Sequence, residues 1–316
     1  MTTARHPVMA LLYKSDPERG RRWQALFAEH APDIEFRQWP NIGNPDEIRH
    51  LLAWQPPEDI AALLPNLEVL FATSAGIDQF DTSILPEALP VVRMLDPAIE
   101  QGMIEYATFA TLWLHRHMAD YVRQQRQHQW QAHMITPAGE RRLGILGLGQ
   151  LGGAIAQHLK EYGFQVSGWS RTSRELPGIT TYAGAEQLKA FLGECDILIC
   201  VLPLTDETRG MLAQTLFEHL PPGAALINMG RGDHLVEADL TAALATGQLS
   251  GAVLDVLREE PPAEDHPFWQ NPCILMTPHV GAMTQPETAF PVLLDNLRRH
   301  QRGEMMLGRV DRQRGY

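Results

Sequence analysis

The sequence predicts an α/β protein of two domains, each built around a parallel sheet flanked by helices. Short apolar segments alternate with helical stretches along most of the chain, which is the pattern of parallel strands joined by crossover helices. The length of 316 residues allows two domains of ordinary size, each with its own core. A long helical stretch separates two sets of strands, so we expect the second set to be inserted into the first domain.

The first set of strands occupies the N-terminal third of the chain. Asp96-Pro97 punctuates its end, and a helical stretch over about 99–131 follows. The predicted strands of this set are 8–12, 34–36, 51–54, 69–71 and 91–94.

The second set is followed by a terminal helix that begins at Pro286. Apolar residues recur in this helix at helical spacing, so we expect it to return to the first domain. The predicted domains are therefore residues 1–97 with 287–316, and residues 98–286. The predicted strands of the second set are 143–146, 164–169, 196–201, 224–228, 251–255 and 273–276.

A glycine-rich turn follows the first strand of the second set. It reads Gly147-Leu148-Gly149-Gln150-Leu151-Gly152 and leads directly into a helix. In dinucleotide-binding folds, such glycines allow a tight turn, close approach of the backbone to a pyrophosphate, and packing of the helix on the strand. The helix N-terminus attracts the anion. The sequence therefore predicts a Rossmann dinucleotide-binding domain; a turn that serves only packing is the alternative.

The strand after this turn indicates which dinucleotide is favoured. NAD-specific folds usually place an acidic residue about 20 residues beyond the first glycine, to bind the ribose 2′-hydroxyl. This chain has Ser170-Arg171-Thr172 and then Arg174 in that region. Hydroxyl and guanidinium groups suit a 2′-phosphate, so we expect NADP(H) to be favoured over NAD(H). The alternative is that the two arginines are ordinary surface charges.

Composition excludes several classes of partner. A net charge of -12 and a pI near 5.5 argue against binding to nucleic acid or to an anionic membrane. The chain has no apolar run of membrane-spanning length and no signal-peptide core near its N-terminus, so we expect a cytoplasmic protein. Cys195, Cys200 and Cys273 lack metal-ligand spacing, and we expect no metal in the site.

Three segments that follow strands of the second set carry the predicted chemistry. They contain Arg231, which lies between two glycines, then Glu260, and then His279. Ligands of open α/β sheets bind at the carboxyl ends of the strands, so we expect these side chains to converge. Arg231 would bind a substrate carboxylate and polarise a keto oxygen, His279 would donate a proton, and Glu260 would stabilise the imidazolium. For each residue taken alone a structural role is the stronger alternative, and it is their joint placement at strand ends that favours catalysis.

These segments resemble the D-2-hydroxyacid dehydrogenase family, in order and over most of the chain. The resemblance implies that Arg231, Glu260 and His279 are the catalytic residues and that the Rossmann domain is inserted into a flavodoxin-like substrate domain. It also implies a homodimer formed through the cofactor domains, with residues 103–130 as the contact. The motifs are Gly147-x-Gly149-x-x-Gly152, Pro203-Leu204-Thr205-x-x-Thr208, Asn228-x-Gly230-Arg231-Gly232, Leu254-Asp255-Val256, Glu260-Pro261, His266-Pro267-Phe268-Trp269 and Thr277-Pro278-His279.

Residues 53–57, 75–78 and 281–286 are similar to a group of reductases within that family. This similarity implies reduction of small 2-keto acids with NADPH, glyoxylate to glycolate and hydroxypyruvate to D-glycerate. Gln285 stands where that group carries an arginine. Other activities of the family, or a dinucleotide-sensing protein without turnover, are the alternatives.

The resemblance also implies the binding residues. Backbone amides of residues 74–76 would receive the substrate carboxylate. The substrate-binding residues are Trp54, Ser74, Ala75, Gly76, Arg231 and Met283. The cofactor-binding residues are Gly147, Leu148, Gly149, Gln150, Leu151, Gly152, Ser170, Arg171, Thr172, Arg174, Leu202, Pro203, Met229, Gly230, Arg231, Asp255 and His279.

Overall fold

The computed structural model describes residues 9–77, 79–80 and 84–311. The predicted positions Val8 and Asp78 lie outside the described residues. The chain forms two compact units: the first extends to Ile99 and resumes at Met283, and the second is Glu100–Ala282. The sequence analysis placed the two domain boundaries between residues 97 and 98 and between residues 286 and 287.

The first unit is built on a five-stranded parallel sheet. Its strand order is β2-β1-β3-β4-β5, which is the flavodoxin-like order that the sequence analysis predicted. The strands are β1 (Met9–Lys14), β2 (Ile34–Gln38), β3 (Ile48–Ala53), β4 (Val69–Ala72) and β5 (Val91–Val92). The helices of this unit are α1 (Pro17–His30), α2 (Ile60–Leu63) and, after the second unit, α9 (Pro286–Gln301).

Helix α1 shows how local sequence and packing agree in this unit. Its N-cap is Asp16, whose carboxylate accepts a hydrogen bond from the Arg19 amide at 2.8 Å. The helix buries Trp23 and Phe27, whose rings lie 6.3 and 5.0 Å from the ring of Phe290 in α9. The terminal helix is thus part of the first unit.

The second unit contains a seven-stranded parallel sheet. Its order, β12-β11-β10-β9-β6-β7-β8, reverses direction between β6 and β9 and is that of a Rossmann fold, as predicted. The strands are β6 (Arg142–Leu146), β7 (Gln165–Ser170), β8 (Thr180–Ala183), β9 (Ile197–Cys200), β10 (Ala224–Asn228), β11 (Leu249–Leu254) and β12 (Ile274–Met276). The helices are α3 (Pro97–His115), whose first three residues belong to the first unit, α4 (Met118–Arg126), α5 (Gln150–Glu161), α6 (Gly184–Leu192), α7 (Gln214–Phe217) and α8 (Glu237–Thr246).

The predicted continuous helix over 99–131 is wrong in one respect. It is two helices, because His117 adopts a left-handed backbone conformation with a φ of 55° between α3 and α4. The segment 127–137 that follows α4 has no regular helix or strand. Apolar spacing continues past His117, so periodicity alone did not reveal the break.

The core of the second unit lies on both faces of its sheet. Strand β9 alternates between them, with Leu198 and Cys200 in one cluster and Ile197 and Ile199 in the other. Burial raises the pKa of the Cys200 thiol to about 12, which fits the predicted role of a small buried hydrophobe. Among the described residues, no helix combines the length and apolar character needed to cross a bilayer.

Candidate active site

The glycine-rich turn has the geometry of a dinucleotide cradle. Gly147 has a φ of 106°, a conformation that side chains rarely adopt, and its amide donates to the Trp169 carbonyl at 2.8 Å. A Cβ on Gly152 would lie 1.8 Å from the Gly147 carbonyl oxygen, so only glycine permits this contact. A Cβ on Gly149 would meet no atom of the described residues within 4 Å, so the backbone ahead of α5 leaves room for a ligand. These residues fit a pyrophosphate at the N-terminus of α5.

The turn lies where the strand order of the sheet reverses. Residues 201–203 follow the neighbouring strand β9, and a Cβ on Gly147 would lie 3.2 Å from the Leu202 amide nitrogen. The side chains of Leu148, Leu202 and Met229 are buried in the core. Any contact that these three residues make with a cofactor therefore involves their backbones or the edges of their side chains.

The end of β7 carries the residues predicted to select the cofactor. Ser170 is buried, and its hydroxyl donates to the Thr172 carbonyl at 2.8 Å, which holds the chain in a tight bend. Arg171 Nη1 lies 3.1 Å from Glu207 Oε2, and both side chains are more than half exposed. Arg174 is also exposed. An anion bound by Arg171 would compete with the Glu207 carboxylate.

His279 and Glu260 form a hydrogen-bonded pair in the second unit. His279 Nδ1 lies 2.9 Å from Glu260 Oε2, and Glu260 Oε1 accepts from the Leu257 amide at 3.0 Å. Burial alone would raise the pKa of Glu260, but these two hydrogen bonds and the charge of Arg231 bring it below its ordinary value. Glu260 is therefore a carboxylate near neutral pH. Its hydrogen bond fixes the orientation of the His279 ring through Nδ1.

The backbone that carries His279 is strained and tightly held. His279 has a φ of 54°, and its amide donates to the Asp255 carbonyl at 2.9 Å. Residues other than glycine rarely adopt this left-handed backbone conformation, and they do so where the surrounding structure imposes it. Here the restraint comes from the loop at 277–281, and His279 is fixed at the end of β12.

Asp255 supplies that restraint. Its carboxylate is buried and accepts three hydrogen bonds from this loop. One oxygen accepts from Thr277 Oγ1 at 2.7 Å and from the Val280 amide at 2.9 Å. The other oxygen accepts from the Gly281 amide at 2.7 Å. Tyr106 extends the network through its hydroxyl, 2.6 Å from Thr277 Oγ1. Cofactor binding by Asp255 stays a prediction, and its side chain positions the loop of His279.

Arg231 is held by two buried side chains that the sequence analysis did not identify as functional. Asn228 Nδ2 donates to the Arg231 carbonyl at 3.0 Å, and the Arg231 amide donates to His234 Nδ1 at 3.0 Å. Because Nδ1 accepts, the His234 proton lies on Nε2, which is 3.3 Å from the Pro203 carbonyl oxygen. The only signal in the sequence is a histidine three residues after an arginine at a strand end. The two residues fix the direction in which Arg231 leaves the backbone.

The predicted site residues belong to different units. Arg231, Glu260 and His279 lie in the second unit, and the charge of Arg231 acts on Glu260. The remaining predicted substrate-binding residues belong to the first unit. There, Ser74 Oγ donates to the Gly76 carbonyl at 2.7 Å, which shapes the loop after β4. The first-unit residues are Trp54, Ser74, Ala75, Gly76 and Met283.

A protein-family model matches residues 108–281 of this chain. It describes the NAD binding domain of the D-isomer specific 2-hydroxyacid dehydrogenases. The matched residues contain the glycine-rich turn and all three predicted catalytic residues.

Similar proteins cover nearly the whole chain. Glyoxylate/hydroxypyruvate reductase A of Yersinia enterocolitica is 38% identical over 302 residues, which are 94% of this chain and 96% of that protein. A D-isomer specific 2-hydroxyacid dehydrogenase from Xanthobacter autotrophicus, solved with NADPH and MES, is 38% identical with a TM-score of 0.91 over 98% of this chain and 100% of that one. An NADPH-dependent glyoxylate/hydroxypyruvate reductase from Sinorhizobium meliloti, solved with NADP and sulfate, is 32% identical with a TM-score of 0.91 over the same shares.

Proposed function

Because the chain belongs to the D-isomer specific 2-hydroxyacid dehydrogenase family, we propose that it reduces small 2-keto acids with NADPH. Glyoxylate and hydroxypyruvate are the proposed substrates, and glycolate and D-glycerate the products. The observation that carries the proposal is the 2.9 Å pair of His279 and Glu260, with Arg231 acting on the same carboxylate. A proton donor, its counter-ion and a carboxylate-binding group are what this reduction requires.

The proposed roles follow from the charges that move during the reaction. The cofactor supplies the hydride when it is bound. The keto oxygen then gains negative charge and needs a proton, which His279 Nε2–H donates while Nδ1–H stays on Glu260 Oε2. Arg231 binds the substrate carboxylate through its planar guanidinium and stabilises the charge on the keto oxygen. In the reverse reaction, the neutral imidazole accepts the proton at Nε2.

The experiment that tests this function is an absorbance assay at 340 nm. NADPH and then NADH are each combined with a panel of 2-keto acids that includes glyoxylate and hydroxypyruvate. We expect NADPH to be consumed with the two small substrates, and His279→Ala to abolish turnover while NADPH binding is retained. Binding of NADPH without turnover of any 2-keto acid would instead favour the dinucleotide-sensing alternative.

NADPH preference rests on Arg171. We propose that its guanidinium exchanges Glu207 for the 2′-phosphate, with Arg174 as a second cation. Charge-assisted hydrogen bonds contribute about 1.5–3 kcal/mol each, so Arg171→Ala should raise KM for NADPH about tenfold or more. KM for NADH should barely change, because NADH lacks that phosphate.

Glu207→Gln is the companion variant for this test. It removes the carboxylate that competes for Arg171, so KM for NADPH should stay the same or fall. Steady-state kinetics with both cofactors gives the answer. Equal effects of Arg171→Ala on NADPH and NADH would contradict the assignment.

A further inference from the structure

Two histidines and an aspartate meet where α3 gives way to α4, in a part of the second unit that the proposed reaction does not use. His117 lies between the helices, Asp120 in the first turn of α4, and His133 in the segment after it. Their ligand atoms, one from each residue, all lie within 4.8 Å of one another. The two imidazole rings are stacked, with centroids 4.9 Å apart. All three residues are partly exposed in the single chain.

His133 Nε2 lies between the Gln124 side-chain amide and the Asp120 carboxylate. The Gln124 amide oxygen accepts from the Gln131 backbone amide at 3.1 Å, so the Gln124 nitrogen is the atom that faces His133 Nε2, at 3.5 Å. Asp120 Oδ2, which as a carboxylate oxygen can only accept, lies 3.4 Å from the same Nε2. A cation bound to both atoms would satisfy this contact.

The separation of these two atoms matches a metal site. Zn²⁺ binds imidazole nitrogen and carboxylate oxygen at about 2.0–2.2 Å, and tetrahedral geometry then places neighbouring ligand atoms roughly 3.4 Å apart. The other oxygen of Asp120 is held by Arg123 Nη2 at 2.6 Å. The His133 amide donates to the Tyr121 hydroxyl at 3.0 Å. Outer contacts of this kind orient ligands in metal sites.

His117 contributes the second imidazole of the cluster from its position between α3 and α4. Its left-handed backbone, with a φ of 55°, is a costly conformation of the kind found at functional sites.

We propose that His117, Asp120 and His133 bind a divalent transition-metal ion such as Zn²⁺, with water completing the coordination. Two imidazoles and one carboxylate favour such ions over Mg²⁺ and Ca²⁺, which prefer oxygen ligands. The ion joins His133 to the start of α4 and so holds the irregular segment 127–137 against that helix.

A second histidine cluster defines the competing site that the experiment must exclude. His50, Glu68 and His300 of the first unit also have ligand atoms within 4.8 Å. There, however, His50 Nε2 and His300 Nδ1 already share a hydrogen bond of 3.0 Å. An ion would have to break that bond.

The test measures Zn²⁺ binding to full-length protein without a histidine tag, by calorimetry and by competition with a chromogenic chelator. We expect one site per chain. His133→Ala and Asp120→Asn should each weaken binding at least tenfold, since even the loss of an outer-shell partner costs roughly 10–100-fold. His128→Ala is the matched control, because His128 lies in the same segment with the same φ of 55° but outside the cluster.

Two further measurements keep the outcome decisive. Zn²⁺ should slow proteolysis within 127–137 in the parent chain and not in His133→Ala, and far-UV circular dichroism should confirm that each variant is folded. If His133→Ala does not fold, His133→Gln replaces it. Failure of the chain to retain Zn²⁺ overturns the proposal, as does binding that survives both ligand variants or is lost in His300→Ala. The proposed reductase activity stands or falls separately.

Discussion

At the scale of single residues, the contact between Glu260 and His279 governs proton donation in the proposed reaction. Glu260 is held as a carboxylate because His279 and the Leu257 amide hydrogen-bond to it, which lowers its pKa. Its negative charge stabilises the imidazolium form, which is the form that can donate a proton. The pH dependence of catalysis therefore reports on this pair.

Glu260→Gln should shift that pH dependence in a defined direction. For reduction of a keto acid, kcat/KM should be flat at low pH and should fall where the imidazole loses its proton. A neutral amide stabilises the imidazolium less, so the falling limb should move to lower pH, with substantial activity retained below it. Glu259→Gln is the matched control, because Glu259 is the exposed neighbouring residue. A limb that stays in place or moves upward in Glu260→Gln would remove Glu260 from this role.

His234 offers a second prediction, for a residue that positions Arg231 through its backbone. His234→Leu removes the acceptor for the Arg231 amide and leaves that donor unpaired in the interior. The guanidinium should lose its fixed direction, so kcat/KM for the keto acid should fall at least tenfold with little change in KM for NADPH. His234→Asn places an amide oxygen near the position of Nδ1 and should recover part of the loss. Equal damage from both variants would indicate a structural role only.

Position along the chain led to the proposed catalytic residues but gave no signal for the residues that hold them. Arg231, Glu260 and His279 follow strand ends, and the carboxyl ends of parallel strands lie at one edge of a sheet, so position along the chain was informative. His234 and Asp255 act on backbone groups of other residues, and such partners leave no periodic signal in a sequence. Their roles required the folded structure.

At the scale of secondary-structure elements, strongly apolar strands were predictable and polar or short ones were not. β9 and β10 are fully buried and were found within two residues of their bounds. β8 was missed, because it is a four-residue edge strand that begins with two threonines and is only partly buried. The break at His117 was missed because a left-handed histidine has no distinctive sequence signal.

Strand β3 carries a buried group whose protonation opposes folding. His50 is fully buried, and burial together with His300 and Arg49 lowers its pKa from 6.5 to about 3. Between these values the unfolded chain binds a proton that the native chain does not, so the free energy of unfolding should fall as pH falls below 6.5. At about 1.4 kcal/mol per pH unit, the loss from His50 between pH 6.5 and pH 5 is about 2 kcal/mol.

Urea unfolding of the parent chain and of His50→Gln at both pH values measures this contribution. Glutamine keeps a polar side chain of comparable length but does not titrate. The parent chain should therefore lose about 2 kcal/mol more stability than the variant on acidification. Parallel losses in the two proteins would show that His50 does not couple folding to pH.

At the scale of the whole molecule, the sequence itself indicated the class of the two sheets but not the order of their strands. Alternation of strands and helices predicted parallel sheets, and the glycine-rich turn predicted which set binds the dinucleotide. The strand orders were not readable from the chain itself. They result from right-handed crossovers and from which strands pack side by side, and they were anticipated only through resemblance to a family.

We also propose that the protein is a homodimer whose contact involves the stretch predicted from residue 103 to residue 130. Large apolar side chains are exposed in and just beyond this stretch, which is costly for a surface that meets only water. Phe109 is 45% exposed, and Met134 and Ile135 are 92% and 71% exposed. Aromatic residues and methionine at such positions are typical of the centre of a protein interface.

Substitutions in this stretch should therefore change the oligomeric state without changing the fold. Phe109→Glu places a charge at the proposed contact and should convert the dimer to a monomer, or weaken it at least tenfold, because an unpaired charge is costly to bury at an interface. Met134→Ala should weaken the dimer to a smaller degree. Met305→Ala is its matched control, since Met305 is 80% exposed but belongs to the first unit. Sedimentation velocity over a range of concentrations measures all four proteins, and a parent chain that sediments as a monomer throughout would contradict the proposed dimer.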